Sequence, residues 1–143
     1  MNNKTILITG ATNGIGAAIA EELSGTDSSI IIVSRSESKC ASMANYLRTT
    51  SGNPNVRHYA ADLSSQAEVR TWLALLNRDW ERLEVLINTA GAWFTTRQIS
   101  ADGVEMTWAL NHLSYVQLTH GLLALLTQTA ALHGEARLSL IHS

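Results

Sequence analysis

The stretch that most constrains this chain is Thr9-Gly10-Ala11-Thr12-Asn13-Gly14-Ile15-Gly16. The apolar run Ile6-Leu7-Ile8 before it reads as a buried strand. The residues from Ile15 to Leu23 read as a helix with Ile15, Ile19 and Leu23 on its packed face. Three glycines therefore sit where a strand turns into a helix. A helix N-terminus carries unpaired N–H donors and about half a positive charge. An anion binds there if side chains leave room. Gly10 lets the chain leave the strand sharply. Gly14 and Gly16, lacking Cβ atoms, let a pyrophosphate come close and the helix pack tightly on the sheet. The spacing Gly-x3-Gly-x-Gly differs from the Gly-x-Gly-x-x-Gly dinucleotide fingerprint. By themselves the glycines fit an ordinary tight turn equally well; the flanking strand and helix favour the phosphate loop.

The rest of the chain alternates strand and helix. Ser29 to Val33 is a strand apolar at four successive positions, as in a sheet covered on both faces. Ser36 or Ser38 caps a helix with Cys40, Ala44 and Leu47 on one side. After the loop from Thr49 to Asn55, Val56 to Ala60 reads as a less apolar edge strand. Ser65 and Glu68 form a capping box for a helix burying Val69, Trp72, Leu73 and Leu76. Val85-Leu86-Ile87 is the fourth strand, closed by Asn88-Thr89-Ala90-Gly91. A polar-aromatic loop runs from Ala92 to Gly103. One long helix is expected from Val104 to Leu132, then a fifth strand over Leu138 to Ile141. This order predicts one α/β domain over residues 1–143, a parallel sheet with right-handed crossovers and helices on both faces. Ligands of such sheets bind beyond the carboxyl ends of the strands, where the strand order reverses. The glycine loop and Asn88–Gly91 both lie there.

Composition excludes several classes. With 45% hydrophobic and 15% charged residues, the chain reads as a folded globular protein. A net charge of −2 gives no reason to expect nucleic acid or an anionic membrane as partner. No apolar stretch has the length of a membrane span, and Met1-Asn2-Asn3-Lys4 runs straight into the first strand. Cys40 is the only cysteine, so no intrachain disulfide forms. A cytoplasmic setting is the simplest expectation. The five histidines show no ligand spacing, so no metal is expected. Trp72 and Trp80 read as packing residues, Trp108 as part of the packed face of the long helix, and Trp93 as a candidate wall of a substrate pocket.

Several separated motifs, in order, resemble the short-chain dehydrogenase/reductase family. Thr9-Gly10-x3-Gly14-Ile15-Gly16 resembles its cofactor loop, which assigns Gly10, Thr12, Asn13, Gly14, Ile15 and Gly16 to the dinucleotide. Asp62-Leu63 resembles its adenine-contacting pair, although read alone it is only a helix entry. Asn88-Thr89-Ala90-Gly91 resembles its Asn-Asn-Ala-Gly element, with Thr89 in place of the second Asn. This implies cofactor contacts at Asn88, Ala90 and Gly91, and for Asn88 also an amide tie between neighbouring strands. Asp102-Gly103-Val104-Glu105 and Asn111-His112-Leu113 are similar to the retinol-dehydrogenase and protochlorophyllide-reductase branch. The resemblance implies a Rossmann-type doubly wound sheet and hydride transfer between a nicotinamide and a small carbonyl or alcohol. It places Asn111 in the catalytic set; the alternative is a polar residue where a helix meets the sheet. After the second strand stand Ser34-Arg35, with Lys39 one turn on. A cation there suits the 2′-phosphate of NADP, where an acid would suit NAD.

The family's proton donor is a tyrosine with a lysine four residues later. Here Tyr46, Tyr59 and Tyr115 are followed at that spacing by Thr50, Leu63 and Thr119. An unassisted tyrosine, with a pKa of about 10, exchanges protons poorly near neutrality. The family's catalytic serine falls on Ser143, the last residue. The expectation is therefore an NADP-dependent short-chain oxidoreductase cut after its fifth strand, which binds cofactor at most. A non-catalytic NADP-binding protein is the runner-up, and a module pairing through its fifth strand is the third reading. A cut there is also expected to take part of the cover from the fifth strand's edge and from the apolar face of the long helix, including Leu118, Leu122 and Leu125. Whether the chain forms oligomers is left open.

Overall fold

The computed structural model describes residues 3–141. Five parallel strands form one sheet, in the order β3-β2-β1-β4-β5. They are β1 (Thr5–Thr9), β2 (Ser29–Ser34), β3 (Val56–Ala60), β4 (Val85–Asn88) and β5 (Arg137–Leu140). The order reverses between β1 and β4, so the sheet grows one way through β2 and β3 and the other way through β5. The helices are α1 (Gly14–Ser24), α2 (Glu37–Ser51), α3 (Gln66–Asp79), α4 (Met106–Trp108) and α5 (Ser114–His133). The doubly wound α/β architecture is the one the sequence predicts.

The period-two alternation of the strands sorts the core into two layers. Ile6, Ile8, Ile30, Ile32, Val85 and Ile87 point one way, onto Ala20 of α1 and Ala44 and Leu47 of α2. Leu7, Ile31, Val33 and Leu86 point the other way, onto Val69, Trp72, Leu73 and Leu76 of α3 and Leu118, Leu122, Leu125 and Leu126 of α5. β3 is an edge, as its composition predicts. β5 is the other edge, and all four of its residues are exposed.

Several local expectations are corrected. Ile15 is not on the packed face of α1: it is 55% exposed, and Gly16, Ala20 and Ser24 face the sheet instead. The Ser65–Glu68 capping box is half formed. Ser65 Oγ accepts from the Glu68 N–H, but the Glu68 carboxylate turns to the Asp62 N–H at 2.7 Å. The expected helix from Val104 to Leu132 begins at Met106 and is broken by a π-helical turn over Ala109–Leu113. Apolar periodicity does not distinguish such a turn from the α-helix on either side. Trp108 is exposed and stacks on His112, with ring centroids 4.2 Å apart. Leu118, Leu122 and Leu125 are buried, because α3 and the sheet cover them; the exposed large apolar residues of α5 are Val116, Leu123 and Leu132. The fifth strand starts one residue earlier than expected. No helix among the described residues is long and apolar enough to cross a membrane.

Candidate cofactor-binding site

The carboxyl ends of β1, β2 and β4 open into a cleft of about 290 Å³. Its walls differ from one side to the other. On the β2 and β3 side they are polar and cationic: Ser34, Arg35, Ser36 and Lys39, then Asp62 and Ser64, over the buried Leu63. Gly10, Thr12 and Asn13 form the middle. On the β4 side the walls are apolar: Ala90, Gly91, Ala92, Phe94, Met106 and Leu110.

The glycines of the loop have separate tasks. A Cβ on Gly10 would meet the Ala90 backbone at 2.8 Å, and one on Gly16 would meet the Gly10 carbonyl oxygen and Thr89 Oγ1, each at 2.5 Å. These two glycines let β1, α1 and the turn after β4 come together. Gly14 is different: its φ is +54°, and a Cβ there would point into open space. The α1 N-terminus receives no side-chain cap from Asn13 and has no acid in its first turn. Its donors are left for an anion. Gly14, Ile15 and Gly16 do not line the cleft themselves; they form the helix start behind it.

Arg35 and Lys39 are exposed at the cleft, and among the described residues neither side chain has an ion pair or hydrogen-bond partner. The nearest acid in sequence, Glu37, is turned away onto His58 Nε2 at 3.0 Å. Ser36 caps α2 by accepting from the Lys39 N–H, which sets the first turn of that helix at the cleft wall. Asp62 both enters the helix and faces the cleft: its Oδ1 accepts from the Ser64 N–H and hydroxyl at 2.9 and 2.7 Å.

The turn after β4 is held from two directions. Thr9 Oγ1 accepts from the Thr89 and Ala90 N–H groups, each at 3.1 Å, and Thr89 Oγ1 donates to the Thr9 carbonyl. From the other side, Asn111 in the π turn accepts from the Ala92 N–H at 3.0 Å and donates to the Ala92 carbonyl at 3.1 Å. Tyr115 donates to the Ala90 carbonyl at 2.6 Å. Asn111 therefore supports the wall without lining the cleft. Asn88 is fully buried and its amide has no hydrogen-bond partner among the described residues, so no amide tie to a neighbouring strand is seen. β4 and β5 are joined by backbone, with the Ile141 N–H on the Asn88 carbonyl. Ser143 lies outside the described residues. The sequence marks Thr9 only as the first residue of the glycine motif and Tyr115 only as a tyrosine with no lysine four residues on; nothing in it shows that the two hold this turn.

The branch motif also resolves into geometry. Asp102 Oδ2 accepts from the Gln66 N–H at the start of α3, and Glu105 accepts from the Thr107 and Trp108 N–H groups at the start of α4. Both acids cap helices and fasten the loop between them.

A family model described as short chain dehydrogenase matches residues 4–133. The chain belongs to the short-chain dehydrogenase family. Human retinol dehydrogenase 13 is 35% identical over 127 residues, which are 89% of this chain and 38% of that protein. The chain thus spans about two-fifths of that relative's length. Among solved structures, the Pseudomonas aeruginosa RhlG/NADP active-site complex matches with a TM-score of 0.82 and 31% identity, over 100% of this chain and 54% of that one. An NADH-dependent reductase complexed with NAD matches with a TM-score of 0.80 and 25% identity, over 97% of this chain and 59% of that one. The family uses nicotinamide cofactors, and these two neighbours hold different ones.

Proposed function

We propose that this chain is the NADP-binding part of a short-chain oxidoreductase that transfers hydride between the nicotinamide and a small carbonyl or alcohol. The observation that supports NADP over NAD is the free pair Arg35 and Lys39 beside the cleft after β2, where an acid would hold an unphosphorylated ribose. The residues fit the cofactor's outline. Cations and Asp62 stand at one end for the adenosine 2′-phosphate and adenine, with the glycine loop and the uncapped α1 N-terminus in the middle for the pyrophosphate. An apolar wall stands at the β4 end for the ring. When bound, the nicotinamide supplies or accepts the hydride.

The chain's own part is binding and orientation. The β4 end of the cleft presents Ala90, Gly91, Ala92, Phe94, Met106 and Leu110, none of which exchanges a proton. Tyr115 keeps its hydroxyl on the Ala90 carbonyl, away from that role. In this reading Asn111 is a positioning residue, and residues 1–143 alone oxidise no NADPH with aldehydes or ketones.

Titration of the chain with NADPH and NADH, followed by tryptophan fluorescence, tests the reading. NADPH is expected to bind more tightly. Equal affinities would remove the basis for NADP, and binding of neither would remove the nucleotide reading.

A further inference from the structure

The β4 end of the cleft depends on a residue that does not line it. Ala90, Gly91 and Ala92 form its wall, followed by a loop whose described pairing lies at its far end: the bridge between Ile99 and Glu105, a few turn bonds, and Asp102 on the Gln66 N–H. Gly91 has no side chain with which to anchor itself. The three residues are gripped from one face of the helix above them. Asn111 takes Ala92 by both ends of its amide. Tyr115, four residues on and so on the same face, puts its hydroxyl on the Ala90 carbonyl at 2.6 Å. A Cβ on Gly91 would stand 3.3 Å from Asn111 Oδ1 and 3.9 Å from the Tyr115 hydroxyl, so the glycine lies directly between the two grips.

We propose that Tyr115 is a positioning residue for the nicotinamide end of the cofactor, fixing the height of the Ala90–Ala92 wall through the Ala90 carbonyl. This rests on the nucleotide reading above. The sheet order gives the polarity: the adenosine end belongs to β2, so the ring belongs to β4. Burial raises the phenol's pKa above its ordinary value, so the donor proton stays in place through neutral pH. Without the hydroxyl, the buried carbonyl is left with one donor fewer, and the wall keeps Asn111 as its one grip from the helix side, with Thr9 still on the Ala90 N–H.

The test compares the unaltered chain with Tyr115→Phe, which keeps the ring and removes the donor. Two ligands are titrated: NADPH, which spans the cleft, and adenosine 2′,5′-bisphosphate, which reaches only the β2 end. Hydrogen exchange is followed in peptides covering residues 89–95 and 10–16. The variant is expected to bind NADPH about tenfold more weakly, the loss of one well-placed hydrogen bond. It should bind the bisphosphate unchanged and exchange faster only in 89–95. Equal weakening of both ligands, or faster exchange in both peptides, would mean general destabilisation and overturn the proposal. So would no change in either. If Tyr115→Phe does not fold, Tyr115→Leu, which also removes the donor, must give the same split. If the unaltered chain binds neither ligand, the nucleotide reading falls. The exchange of residues 89–95 then still decides whether Tyr115 holds the wall.

Discussion

The start of α1 and the end of β1 touch with no room for a methyl group: a Cβ on Gly16 would lie 2.5 Å from the Gly10 carbonyl oxygen. The obstacle is backbone, so it does not rotate away. Gly16→Ala is expected to force α1 off the sheet and cost about 1–3 kcal/mol, the range for overpacking. A lowered melting temperature, accompanied by lost NADPH binding, is the outcome to look for. Gly14→Val separates binding from folding. Its Cβ enters open space, and its positive φ costs roughly 1–2 kcal/mol in a side-chain-bearing residue. The variant should melt only slightly early yet bind no NADPH. Normal binding by Gly14→Val would remove the pyrophosphate from this loop.

Cofactor choice is testable at Arg35, which among the described residues has no partner of its own to lose. Charge-assisted hydrogen bonds to phosphate are worth roughly 1.5–3 kcal/mol, or about one to two decades of affinity. Arg35→Asp should lose that for NADPH and little for NADH. A parallel loss of both cofactors would show that Arg35 supports the cleft without reading the 2′-phosphate.

Most of the fold was legible because its signals are local or periodic. The four apolar positions of Ile30 to Val33 announce a strand covered on both faces, and Cys40, Ala44 and Leu47 recur at helical spacing; both readings match the structure. The site's outline was legible from chain order alone, since strand ends in a doubly wound sheet meet at one edge. What failed has physical causes. The π turn at Ala109–Leu113 adds a residue to a helix without changing its apolar content. Glu68 was expected to cap its own helix, but the Asp62 N–H competes for the same carboxylate. The grips of Thr9 on the Thr89 and Ala90 N–H groups, and of Tyr115 on the Ala90 carbonyl, join residues far apart in the chain; no pattern within either segment records them.

The interface between α3 and α5 gives a smaller stability change than the one expected at Gly16. A Cβ on Gly121 would approach Leu73 Cδ1 at 2.4 Å, but here the obstacle is the end of a flexible side chain. Gly121→Ala removes a glycine from a helix interior, a gain of roughly 1 kcal/mol, against a Leu73 that must turn aside. The net change should stay within about 1 kcal/mol. Leu118→Ala, in the same layer and fully buried, should cost about 2–5 kcal/mol. Chemical denaturation of both variants checks the contrast. A larger loss for Gly121→Ala than for Leu118→Ala would mean that the two helices cannot adjust at their closest point.

The entry into the helix that carries Asn111 should weaken in acid. Glu105 caps α4 by accepting from the Thr107 and Trp108 N–H groups at 3.0 and 2.9 Å. Those backbone donors, Thr107 first, favour the carboxylate and hold its pKa below the ordinary glutamate value of about 4.3. A depressed folded pKa means that the unfolded chain takes up the proton first. The cap therefore contributes its full stability above the unfolded value and loses it as pH falls through the folded one. Glu105→Ala removes the cap at every pH. The melting temperatures of the two forms should differ most near neutrality and converge as the pH drops below about 4, provided that both remain folded there. The Trp108–His112 stack sits on this first turn, so tryptophan fluorescence should follow the same course. A gap between the two forms that is constant from pH 7 to pH 3 would show that the carboxylate charge plays no part in the cap.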